Sequence, residues 1–93
     1  MSAIRKIIRA DGSEEQLERT PPASAIRGLI RAETLDTFTL LDRKHIVFVD
    51  DEGHAKGLPI NEKATALYHA RCKPGTSHTI VGDVVIVPDA DYA

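Results

Sequence analysis

"VDDEGHAKGLPINEKATALYH", Val49 to His69, is the stretch on which the fold turns. Val49 closes the run His45-Ile46-Val47-Phe48-Val49, whose β-branched and aromatic residues suit a pleated strand. Asn61 can accept the first free N–H groups of a helix through its side-chain oxygen, and Ala64, Leu67 and Tyr68 then recur at helical spacing. Between these two patterns lie acids, glycines and Pro59, which are turn formers. The stretch therefore reads as strand, polar connection and helix. Ile60 is placed to fold over the first helical turn, the helix runs through Cys72, and Lys73, Pro74 and Gly75 supply stop chemistry.

Upstream, "TLDTFTLLDRKHIVFV" predicts a hairpin whose polar turn is Asp42, Arg43 and Lys44. Before it, "TPPASAIRGLIRAE" predicts a helix with Thr20 as N-cap and prolines where a missing N–H is harmless. Ala23, Ile26, Leu29 and Ile30 fall on one face of that helix, while Gly28 weakens it or admits a close neighbour. "AIRKIIRADG" and "SEEQLERT" predict a first hairpin around Asp11-Gly12, with a weak second strand. Downstream, "HTIVGDVVIVPD" is the most apolar run, a strand interrupted at Gly82-Asp83 and closed by Pro88. The order β-β-α-β-β-α-β predicts an α+β fold, a mainly antiparallel sheet with two helices on one face. One domain spans 1–93, and residues 88–93 read as a flexible tail.

Composition narrows the function classes. Hydrophobic residues make up 42% and charged residues 28% of 93, which is ordinary globular usage rather than a disordered chain. Aromatics are only 4%, with no tryptophan, so base-stacking platforms are hard to assemble. The net charge of −2 also lacks the basic field of a duplex binder, which disfavours nucleic acid as a partner. Arg5, Lys6, Arg9, Arg27 and Arg31 form the nearest basic candidate, but interleaved charges of this kind read better as a solvated face. A single cysteine, Cys72, forms no intrachain disulfide and has no resolving thiol. Charges interrupt the apolar run of "MSAIRKIIRADG", and no stretch reaches the roughly 18 apolar residues of a membrane span. These features predict a cytoplasmic protein with no membrane partner.

No catalytic or metal motif has the required spacing. His45, His54, His69 and His78 lie nine or more positions apart, whereas zinc ligands readable from sequence pair at about three to five. "DDEG" lacks the alternating oxygens and distal glutamate of a calcium loop. Ser13, Ser24 and Ser77 have no glycine-flanked nucleophile elbow. The expectation is a non-enzymatic protein without a cofactor.

The words "GLPIN" and "IVGD", with "AIRKII" and "SAIRGLIRAETLDTFTLL", resemble a family of small domains of unknown function from phages, prophages, plasmids and bacteria. The resemblance covers most of the chain. It carries no reaction or cofactor, and implies an accessory protein of a mobile element or its host, acting on host machinery or a host small molecule.

"GLPIN" and "IVGD" also have physical content. Gly57 opens backbone conformations closed to other residues, Leu58 and Pro59 shape the approach, and Asn61 stands at a helix N-terminus that favours anions. His54 and Lys63 add charge and hydrogen bonds, Gly82 lets a ligand come close, and Asp83 is aimed out of its strand. Taken one at a time, each residue is better explained as a cap, a turn or a relief of crowding. Taken together they make a candidate site for a phosphorylated small molecule, such as a nucleotide signal of a defence pathway. The alternative is a module that docks on a host protein through a sheet edge or the acidic "DDE" and "DAD" words. Either role is compatible with a homo-oligomer, since so small a chain has little room for an enclosed pocket.

Overall fold

The central strand of the protein is an unbroken apolar run, and its two sides organise everything else. The computed structural model describes residues 3–72 and 75–92. They form β1 (Lys6–Ile8), β2 (Glu14–Gln16), α1 (Ala23–Ile30), β3 (Leu35–Thr39), β4 (His45–Asp50), α2 (Glu62–Arg71), β5 (Val84–Pro88) and a 3-10 turn (Asp89–Tyr92). The five strands build one antiparallel sheet in the order β2-β1-β5-β4-β3. The element order and the α+β class are those read from the sequence.

Every residue of β5 is buried. Successive strand side chains point to opposite faces, so β5 needs cover on both. Val85 and Val87, with Ile7 and Phe48, pack on Ile26 and Ile30 of α1. Val84 and Ile86, with Ile8, Val47 and Phe38, pack on Ala64 of α2 and on Ile80. The register agrees, since Ile7 faces Val85 and Val47 faces Ile86 across the strands. The two helices therefore lie on opposite faces of the sheet, not on one face as the element order suggested. A sheet with a single apolar face would satisfy α1 or α2, but β5 is apolar on both.

Both hairpins turn where polar residues predict. In the first, Gly12 has φ 93° and Asp11 Oδ1 accepts from the Ser13 N–H at 2.8 Å. In the second, Arg43 takes the left-handed conformation at φ 59° and Asp42 Oδ1 accepts from the Lys44 N–H at 2.7 Å.

Four local expectations are corrected. The N-cap of α1 is Pro22, with no side-chain cap, because two prolines separate Thr20 from the first turn. Thr20 instead accepts from Arg5 Nε at 3.2 Å and donates to Asp91. Residues 89–92, expected as part of a loose tail, form the 3-10 turn, and Asp91 pairs with Arg5 at 3.0 Å. Ala23 is exposed in the first turn of α1, and Ile60 is 52% exposed, bridging Val81 rather than covering α2. Helix α2 ends with Cys72 as C-cap; the stop residues Lys73 and Pro74 lie outside the described residues. Among the described residues, no helix is long and apolar enough to cross a membrane.

Candidate functional site

Residue Asn61 is the junction from which the site is built. It is completely buried. Its Oδ1 accepts from the Ala64 N–H at 3.0 Å, capping α2 as the sequence predicts. Its Nδ2 donates to Ile8 O at 3.0 Å and Gly82 O at 2.9 Å, and its own N–H donates to Ile80 O at 2.8 Å. One amide thus ties α2 to β1 and to the segment entering β5. With these bonds made, Asn61 holds the surrounding backbone in place and presents nothing to a ligand.

Beside this junction Gly82 has φ 78° and donates to Pro59 O at 2.8 Å. A side chain there would be strained and would bring its Cβ within 2.8 Å of Leu58 Cδ1. The next residue, Asp83, accepts from the Ala10 N–H at 2.9 Å and from Arg9 Nη1 at 2.9 Å. Arg9 also donates to Leu29 O at 3.1 Å and to Glu15 at 3.1 Å. The hydrogen bond that Arg9 donates to Asp83 raises the Arg9 pKa above its ordinary value, so this guanidinium stays charged.

These groups form one wall of an open groove of about 440 Å³, lined by Arg9, Ala10, Ile30, Arg31, Leu58, Pro59, Gly82 and Asp83. Arg31, the C-cap of α1, also lines this groove and takes the left-handed conformation at φ 57°. Four carbonyls at the negative end of α1 are occupied. Gly28 O and Arg27 O accept from the N–H groups of Arg31 and Ala32, Leu29 O from Arg9, and Arg31 O from Lys56 Nζ at 3.3 Å. The Arg31 guanidinium forms no salt bridge among the described residues. Apolar lining from Ile30, Leu58 and Pro59, together with Arg31 and the Arg9–Asp83 pair, suits a ligand with an anionic head and an apolar or planar body.

The groove gathers Leu58, Pro59, Gly82 and Asp83 from the residues singled out in the sequence. The others stand apart. Gly57 is exposed with φ 69° and serves the turn. Lys63 reaches Glu14 at 2.9 Å, and His54 is within 2.8 Å of Thr79 O and 5.0 Å of the His78 ring. Arg9 and Arg31, which the sequence presents as part of a solvated basic face, prove to be the charged walls. Their sequence signal is weak, since nothing local shows that the end of α1 and the first hairpin meet. The acidic words are also partly spent: the Asp50 side chain is 1% exposed and pairs with Lys56 at 2.6 Å.

Among the described residues, no group of three or more His, Cys, Asp or Glu side chains is arranged to hold a metal ion. No family model, curated protein or solved structure matches the chain.

Proposed function

We propose that the protein is a small non-enzymatic binding module that captures a phosphorylated small molecule, with a nucleotide signal as the leading class, in the groove between Arg31 and Asp83. The observation that supports this reading is Arg31, which lines the groove and whose guanidinium has no carboxylate partner among the described residues. An anionic head would pair with Arg31, and Ile30, Leu58 and Pro59 would pack on the rest. The resemblance through "GLPIN" and "IVGD" supplies the biological setting, an accessory protein of a phage or mobile element that works in the host cytoplasm by withdrawing a defence signal.

Native mass spectrometry of protein purified from bacterial cells, followed by mass analysis of released material, tests this directly. A stoichiometric phosphorylated compound that is lost in Arg31→Ala supports the reading. No bound mass, together with no nucleotide that raises the melting temperature, would sink it. A second reading, docking on a host protein through an acidic face, is favoured by Asp51 and Glu52, which are exposed and outside any salt bridge among the described residues. A stoichiometric host protein that co-purifies with the wild type and is lost on Asp51→Lys/Glu52→Lys would select it.

A further inference from the structure

The sheet has two outer edges, and they are protected very differently. At β2 the outward backbone groups belong to Glu14 and Gln16, because Arg9 with Ser13 and Leu17 with Arg5 set which residues bond to β1. Glu14 there is held by Lys6 and Lys63. A strand of three residues with a fixed charge is a poor template for another chain.

At β3 the edge is five residues of Leu35-Asp36-Thr37-Phe38-Thr39. Asp51 N donates to Thr34 O at one end and Leu40 N to His45 O at the other. With the register of β3 against β4, these bonds direct the backbone groups of Asp36 and Phe38 into the sheet and those of Leu35, Thr37 and Thr39 outward. Among the described residues no strand pairs with them. Leu41, just past the edge, is 66% exposed. Charge is divided along the edge: Glu33, Asp51 and Glu52, with Lys56 near them, stand at its start, and Arg43, Lys44 and Arg71, with Asp42 beside His45, at its finish, so acids outnumber bases at one end and bases outnumber acids at the other. Arg43, Lys44 and Arg71 form no salt bridge among the described residues.

We propose that the β3 edge is a self-association surface whose occupant is the β3 edge of a second copy of this chain, paired antiparallel about a two-fold axis at Thr37. That axis sets Thr37 opposite Thr37 and Leu35 opposite Thr39, so every outward N–H and C=O of both strands finds a mate. It also lays the basic finish of each copy beside the acidic start of the other, and Leu41 against the stretch from Glu33 to Leu35. A two-fold is the one arrangement that turns a strand with opposite charges at its ends into its own complement. Asp36 restrains the association, since its Oδ1 accepts the outward Thr37 N–H at 2.9 Å and must release it. The surface is separate from the groove, and its failure leaves the ligand reading untouched.

Sedimentation velocity over a concentration series, on the whole chain, reads the result. The wild type should show a monomer–dimer equilibrium. Arg43→Glu should weaken it by about ten-fold or more and Glu33→Lys/Arg43→Glu should recover most of the loss, while Asp36→Ala should tighten it. In a Cys72→Ser background, Thr37→Cys should oxidise to a covalent dimer, since paired Cα atoms would lie about 5.5 Å apart, and Thr39→Cys should not. Glu33, Asp36, Thr37 and Arg43 are exposed, and the half-buried Thr39 and Cys72 lie outside both core clusters, so these substitutions leave the core intact. A chain that stays monomeric at every concentration, a dimer indifferent to Arg43→Glu, or preferential cross-linking at Thr39 would overturn the proposal.

Discussion

Helix α1 meets the sheet through Ile26 and Ile30, 0% and 5% exposed, and starts at Pro22 with no side-chain cap. Helix α2, across the sheet, fully buries only Ala64, adds the half-buried Leu67 and Tyr68, and starts at Asn61, whose amide makes a cap and two ties to other elements. One helix is fastened by apolar area, which is non-directional and tolerant of small shifts. The other is fastened by a buried polar group, which demands particular positions of Ile8, Gly82 and Ala64. The groove lies where the two constraints meet, with Ile30 and Arg31 from the end of α1 and Gly82 beside the Asn61 junction.

The largest expected effect comes from removing the polar fastening. Asn61→Ala leaves Ile8 O, Gly82 O and the Ala64 N–H without these bonds in a buried place, and should cost about 4 kcal/mol or more in urea unfolding. Asn61→Asp sharpens the comparison, because it keeps the cap acceptor and loses the two donations. It should remain folded less stably than wild type, and a loss of less than about 1 kcal/mol would show that the cap alone matters.

Ile26→Ala breaks the apolar fastening and should cost about 3 kcal/mol by the same measurement. Its consequences should differ in kind. The α1 face should loosen, with faster amide exchange across Ala25–Ile30, while exchange of the Ala64 N–H keeps its wild-type protection against local opening. Equal loss of protection in both helices at low denaturant would show that they form one cooperative unit.

Gly82→Ala tests the shared wall of the groove. The positive φ and the contact with Leu58 together should cost about 2 kcal/mol and push Leu58 into the groove, lowering ligand affinity more than Gly57→Ala does. Comparable binding by the two variants would remove Gly82 from the site.

The smallest effect is electrostatic. Hydrogen bonds from Lys6 and then Lys63 hold the Glu14 carboxyl down to about 2 from its ordinary 4.5. Because the folded value is the lower one, this contribution is present above the ordinary value and lost as pH falls toward 2. Thermal melting of wild type and Glu14→Gln should therefore differ slightly at neutral pH and converge in acid. Glu14 and Lys63 are exposed and Lys6 is half-buried, so added salt should shrink the difference as well. A difference that grows in acid would contradict the assignment.

Much of the fold was legible in local chemistry. Asp11-Gly12 marked one hairpin, Asp42 to Lys44 the other, and Asn61 the start of α2. What local chemistry could not show was which face each helix covers. Four consecutive apolar residues, Val84 to Val87, have no visible alternation, and an unbroken run is compatible with a strand buried on both sides only once its neighbours are known. The Thr20 cap failed for a related reason: a hydroxyl near a helix start serves whichever donor or acceptor the fold delivers, and here that was Arg5 and Asp91.

The candidate site divides along the same line. Gly82 and Pro59 were readable because glycine and proline declare backbone needs that belong to the residue itself, and Leu58 came with them as the neighbour of Pro59. Arg9 and Arg31 were not, because a charged side chain becomes a wall or a solvated surface according to what stands beside it. The sequence alone determined the elements, their order and the turns, since those follow from propensity, capping and spacing within a few residues. Tertiary structure alone decided that the helices oppose one another, that Asn61 joins three segments, and that two distant arginines share a groove with Asp83. Contacts between residues as far apart as Arg9 and Asp83 are set by sheet register and burial on both faces, which no short stretch of chain encodes.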